Sequence, residues 1–430
     1  MKNPILYMTQ NLVWTTSGTV WAMWRLRGLP YGFGKGDHKE RAMLAHQALF
    51  QGLRGEALLM GLCAEIEPAS VVERMLEGLD LSECEHYLHE AELVLDELEQ
   101  IPVGERAYWL AVPLPARSVM DRVRTLAKAA DGKLREQLAL PSRRPDANEI
   151  DALLKAAHQI ARNIPEAFHA KPSSPAEVLW IYSHSHNRGL GSDPTAPAGE
   201  SSAQHLTGRG VIPEPWIDEG GQSEVSAKER LNPFRRRYLK VRSDATAGEA
   251  SYQVLLALTG GPAEGFNFPD DEFISYLDSL NVNADWVMRM NILPAKKAAS
   301  RNKRAEEKLN DEYNQQSGDS HAITGGSTRL DRIAEDLTAY HAALNSSESE
   351  VSVDAAVIFA VGAPTAEIAQ DHANAIVRAY ESREFKVTTP LGYQEELWWA
   401  ALPGTPSSAT VKKLELLATG RHLAFGVPLV

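Results

Sequence analysis

The chain has 430 residues, 43% of them hydrophobic and 23% charged, with a formal net charge of −13. That length is more than one hydrophobic core holds and implies two or three domains. The acidity excludes non-specific coating of nucleic acid, so binding of that kind would need a local basic patch.

The first predicted element is a hairpin. Leu12–Thr15 and Thr19–Trp24 flank Ser17-Gly18, a tight-turn pair, and Trp14, Val20, Ala22 and Trp24 alternate as on a half-buried sheet. A polar helix over Lys39–Gln51 and a strand over Ala57–Ala64 follow. Helices are expected over Ala69–Gly78 and Cys84–Gln100; the second carries Leu88, Ala91, Leu95 and Leu98 on one face and glutamates on the other. Ala107–Val112 reads as a strand closed by Pro113 and Pro115. Residues 1–116 therefore form a first α+β lobe.

Residues 117–186 read as a helical middle segment, with Ile150, Leu153, Leu154, Ala157, Ile160 and Ile164 in one stripe. Ser173-Ser174-Pro175 is a helix-start signal within it. Glycine, proline and serine then break every period, so 187–230 is expected as an irregular loop or linker.

The second lobe, 231–404, begins with strands and helices in alternation. Ser251–Leu258 and Asp285–Leu293 read as strands around a helix at Asp270–Leu277. Helices over 295–316 and 328–345 form a hairpin turning near Gly325-Gly326. Strand Val351–Val361, helix Pro364–Ser382 and strand Phe385–Thr388 complete a pattern that matches a ferredoxin-like unit with an inserted helical hairpin. Residues 405–430 read as a C-terminal connector. The expected class is α+β.

Chemical motifs are few. Gly32-Phe33-Gly34-Lys35-Gly36 lacks the Ser or Thr that follows a P-loop lysine, and no G-x-G-x-x-G occurs, so no nucleotide site is expected. Asp270-Asp271-Glu272 suits a helix N-terminus. His184-Ser185-His186 could share a metal if extended, but diverges by about 200° if helical; no H-E-x-x-H spacing supports it. Catalytic, cofactor and metal residues are therefore all expected as none. Cys63 and Cys84 lack zinc-ligand neighbours, and two thiols in this length indicate a reducing compartment. No secretory pattern opens the chain, and its longest apolar runs fall far below the ~20 residues of a transmembrane helix.

The strongest local anomaly is basic: Lys228, Arg230, Arg235, Arg236, Arg237, Lys240 and Arg242, with Phe234 and Tyr238 interleaved and Glu229 alone opposed. Arginines beside aromatics can grip phosphates, stack on bases or meet an acidic partner. The bland alternative is a strand whose flanking arginines pair with nearby acids.

Several segments in order resemble the N-terminal region of the large cytoplasmic ATPases of type IV secretion and conjugation. They are Asn11–Trp14 with Gly18–Ala22, Pro30-Tyr31-Gly32, Val72–Leu76, Glu219–Ser223, Asn232–Val241 and Trp398–Gly404. The resemblance implies a docking and oligomerising region, cytoplasmic or peripheral at the inner face of the membrane, that contacts inner-membrane components of a transfer channel. It also implies ATP and magnesium only in a following motor domain. No Walker lysine is present, so none of the family's catalytic positions carries over. The alternative is a stand-alone nucleic-acid-binding protein, with DNA as partner, using 228–242.

Overall fold

A computed structural model describes residues 3–429 apart from 32–35, 81–84, 100, 102–103, 116–144, 192, 194–204, 208–211, 223–225, 227–231, 233–235, 244–247, 263–264, 304–306, 308–325 and 428. The fold is mixed α+β. In the first half the order is β1 (Ile5–Thr9), β2 (Leu12–Thr15), β3 (Val20–Leu26), α1 (Gly36–Gly52), β4 (Gly55–Glu65), α2 (Pro68–Leu76), α3 (Glu85–Leu98), β5 (Gly104–Pro113), α4 (Ala147–Ala161), β6 (Lys171–Pro172) and α5 (Pro175–Asn187). Next come β7 (His205–Thr207), β8 (Trp216–Glu219), β9 (Leu239–Arg242), β10 (Ser251–Gly260), α6 (Ser275–Asp278), β11 (Ala284–Pro294), α7 (Gly326–Leu344), β12 (Val351–Ala363), α8 (Ala366–Glu381) and β13 (Lys386–Thr388). The chain closes with α9 (Gln394–Ala400), α10 (Ala409–Lys412), β14 (Leu416–Thr419) and α11 (Gly420–Gly426).

Every described strand joins one antiparallel sheet, whose main path runs β7-β1-β2-β3-β5-β4-β11-β12-β10-β9-β8. The strands expected in two separate lobes are thus continuous. β4 and β11 pair along their length, with Trp286 opposite Gly61 and Met288 opposite Leu59. Within each half the order is the same. Counted within the sets β3–β6 and β10–β13, β6-β3-β5-β4 and β13-β10-β12-β11 are both fourth, first, third and second strand, and in each set the first strand also carries a hairpin neighbour, β2 or β9.

The alternation expected of strands places two cores on opposite sheet faces. On one face Leu59, Leu110, Leu256, Met288 and Phe359 pack under α1, α4, α8 and α11. On the other, Leu58, Met60, Trp109, Leu255 and Ile358 pack under α5 and α9, through Trp180, Ile181, Leu397 and Trp398. A three-layer arrangement of this kind satisfies both apolar faces of a wide sheet.

The helix-start signal holds. Ser174 caps α5, its Oγ accepting from the Glu177 N–H at 3.3 Å while Glu177 Oε2 accepts from the Ser174 N–H at 2.8 Å, with Pro175 in the first turn. Ser174→Ala removes half of this capping box and is expected to cost about 1 kcal/mol by urea unfolding. A loss below a few tenths would show that the cap contributes nothing.

Four expectations are corrected. β1 was not foreseen; it extends the hairpin by pairing with β2. The segment 187–230 holds β7 and β8, strands too short for a readable period, which pair with β1 and β9. The helix expected from Asp270 shrinks to the single turn α6, because Asp270 has φ 128°, outside helical space. Residues 405–430 are part of the packed body. β14 pairs with β12, Leu423, Ala424, Val427 and Leu429 are buried, and the Leu429 N–H donates to His46 Nε2 at 3.0 Å. Of the inserted hairpin, residues 295–303 and α7 are helical, while its turn lies outside the described residues. No helix among the described residues is long and apolar enough to cross a membrane.

Candidate functional site

Among its described residues the basic segment does not form one exposed patch. Lys228, Arg230 and Arg235 lie outside the described residues. Arg236 and Arg237 are exposed in the turn before β9, and the Arg236 carbonyl accepts from the Gly392 N–H at 3.1 Å. Lys240 is 4% exposed, its ammonium 5.5 Å from the Tyr252 ring centre. Arg242 stacks over the exposed Trp216 at 5.5 Å. Lys240 and Arg242, two apart on β9, thus each use a neighbouring strand's aromatic ring.

The two histidines lie near the C-terminus of α5, where helical geometry sends their rings to different partners. His184 stacks on Trp180 at 4.7 Å and His186 on Trp398 at 5.7 Å. Trp180 stacks in turn on Trp109 at 5.4 Å, so a ring column runs from α5 to the centre of the sheet. Among the described residues no group of three or more His, Cys, Asp and Glu side chains is placed to hold a metal.

What His184 joins is a buried ionic cluster that sequence reasoning missed. Its Nδ1 lies 2.8 Å from Asp193 Oδ2 and its Nε2 3.0 Å from Asp285 Oδ2. Arg188 Nε donates to Asp285 Oδ2 at 2.6 Å, and Arg188 Nη1 to Gln253 Oε1 at 2.5 Å. The Cys63 N–H donates to Asp285 Oδ1 at 2.8 Å. Burial alone would lower the His184 pKa, but Asp285 and Asp193 outweigh it and raise it to about 9. Burial would raise the Asp285 carboxyl; His184 and Arg188 overcome that and hold it well below the carboxylate range. The charged forms are thus mutually held, a protonated His between two carboxylates.

A second buried cation sits one strand turn along. Arg289 donates to Glu56 Oε1 from Nε at 3.0 Å and from Nη2 at 2.7 Å, and to the carbonyls of Ala400, the last residue of α9, and of Thr405 beyond it. Helices α5 and α9 on this face are therefore anchored to β11 by opposite charges, α5 at Asp285 and α9 at Arg289. The sequence signal was available. Ala284-Asp285-Trp286-Val287-Met288-Arg289-Met290 puts two charges into an otherwise apolar strand, and such charges are paired when buried.

Cys63 is buried and unpaired, and burial pushes its thiol up to about 12, so it is not a reactive thiolate. Cys84 lies outside the described residues, as do Gly32–Lys35 of the glycine-rich loop. Comparison with models of known protein families finds no match, and comparison with curated proteins finds no significant match.

Proposed function

We propose that this chain is a non-catalytic docking and oligomerisation region of a conjugation or type IV secretion ATPase, coupling the motor to inner-membrane components of the transfer channel. The observation that carries the reading is the ordered series of segments ending in Trp398–Gly404. The place of that last segment in the fold supports it. Trp398 and Trp399 are each 1% exposed, the Tyr182 hydroxyl donates to the Pro403 carbonyl at 2.7 Å, and Gly404 takes φ 86°. These are places where residue identity is set by packing and backbone conformation, so shared residues there speak for a shared fold.

On the same reading each half is a ferredoxin-like unit with an inserted helical hairpin, and the two stand side by side in one sheet. The repeated strand order supports this. ATP and magnesium belong to a motor domain and not to these residues. The protein acts in the cytoplasm or at the inner face of the membrane as a homo-oligomer. The nucleic-acid reading is less well supported, because Lys240 is buried against Tyr252 instead of facing solvent.

The test uses tagged protein in cells that carry a conjugative transfer system, with crosslinking before the membranes are isolated. Co-isolation with inner-membrane channel components is expected, and the purified chain should turn over ATP no faster than a buffer control. Recovery of none of those components, or rapid magnesium-dependent ATP turnover by the chain alone, would defeat the proposal.

A further inference from the structure

Among the described residues the two halves of the sheet differ at one edge. In the second half β12 is longer than its pairing with β10, which covers only Val357–Ala363. The N-terminal end of β12 is covered instead by β14, with Ser352 opposite Thr419 and Ala355 opposite Leu416. In the first half β5 has the same overhang. β3 pairs with β5 only as far as Tyr108, opposite Leu26, while Gly104–Ala107 pair with β4 alone. Among the described residues no strand takes the place beside Gly104–Ala107 that β14 takes beside β12.

A cavity of about 460 Å³ lies along that edge, lined by Arg27, Gly28, Glu105, Arg106, His169 and Lys171 among others. Arg106 forms its inner wall and is held by Asp278 at 2.5 Å and by the carbonyls of Gly61 and Ala284. Arg27, Lys171 and His169 are exposed at the rim, and Glu105 is the carboxylate among the described lining residues. An unpaired strand edge offers alternate backbone N–H and C=O groups to an incoming strand, and flanking side chains select among sequences. Cations at the rim of an otherwise acidic protein favour acidic side chains.

We infer that Gly104–Ala107 of β5 accept a short extended segment of a partner protein, rich in Asp or Glu, which adds to the sheet as β14 does in the other half. The inference does not rest on the conjugation reading; it follows from the overhang, the cavity and the rim charges. The occupant makes about four residues of ladder, the length of β14.

The whole 430-residue chain is applied to an array of random eight-residue peptides, and the best-retained peptide is resynthesised with a fluorescent label. Retained peptides are expected to be acidic and free of proline. The double variant Arg27→Glu, Lys171→Glu should weaken binding at least tenfold while its thermal unfolding stays unchanged, since both side chains are exposed. Alternate N-methylation of the peptide backbone should abolish binding, and hydrogen exchange of Gly104–Ala107 should slow in the complex. Retention of no peptide, absence of an acidic bias, or unchanged Kd after N-methylation would each overturn the inference.

Discussion

Asp285→Ala is expected to lower the free energy of unfolding by about 3–5 kcal/mol, the cost of leaving buried charge without its partner. The carboxylate is 2% exposed and holds two cations, Arg188 and His184, and also the Cys63 N–H. Arg188 would keep Gln253 and His184 would keep Asp193, so neither cation is stranded alone, but both remain in the interior. Asp285→Asn retains an acceptor for the Cys63 N–H and should cost less, which separates the charge from the hydrogen bond. Urea unfolding at neutral pH decides the point; a loss under about 1 kcal/mol for the alanine variant would show that the cluster is not held as charged groups.

The same cluster sets a pH dependence. The His184 pKa is raised to about 9, so its contribution is fully present below the unfolded value of about 6.5 and is lost as pH rises through 9. Asp285 is depressed, so its contribution is present above about 3.9 and is lost as pH falls further. His46 and His186 run the other way from His184. Burial pushes each down to about 4, opposed at His46 by the Ala42 carbonyl and reinforced at His186 by Arg188. Unfolding frees them to take up protons, so stability falls as pH drops from about 6.5 toward 4. The wild type should therefore be most stable near pH 6.5, and Asp285→Ala should flatten the alkaline side of that profile.

The elements that were legible in the sequence are those with a period to read. β4, β5, β10, β11 and β12 fall within a few residues of expectation because their apolar runs are bounded by Gly, Pro or charge, and α8 because its apolar positions recur at helical spacing between Pro364 and Ser382. β13 is three residues long and falls within the strand expected at Phe385–Thr388, whereas β6 is two residues long and β7 and β8 three and four, so no alternation distinguishes those three from loop. The join between halves was illegible for a different reason. β4 and β11 are each apolar on both faces, which says that they are central but not that they are neighbours. The basic segment was conspicuous in composition, yet composition could not show that Lys240 points under Tyr252. The buried cluster was the reverse case: its residues were scattered over 222 positions from Cys63 to Asp285, and only the sheet brings them together.

Trp286→Ala and Gly61→Ala should each destabilise strongly and should not add. Trp286 is fully buried and faces Gly61 across the β4–β11 ladder. A methyl at Gly61 would stand 2.3 Å from Cε2 of the indole and 2.4 Å from its Nε1, inside any tolerable contact. Glycine is required here by close approach, not by backbone conformation. Truncating the indole opens a cavity and should cost about 3–5 kcal/mol. The Gly61 methyl alone forces the ring or the ladder to shift and should cost about 1–3 kcal/mol. With both changes the methyl enters space that the indole has left, so the double variant should be more stable than the sum by about 1–3 kcal/mol. Additivity within about 0.5 kcal/mol would mean that these two strands do not pack as neighbours, and with them would fall the single sheet that joins the halves. If the sheet is continuous, the wild type should also unfold in one transition by fluorescence and circular dichroism alike, because neither half can expose β4 or β11 without unpairing the other.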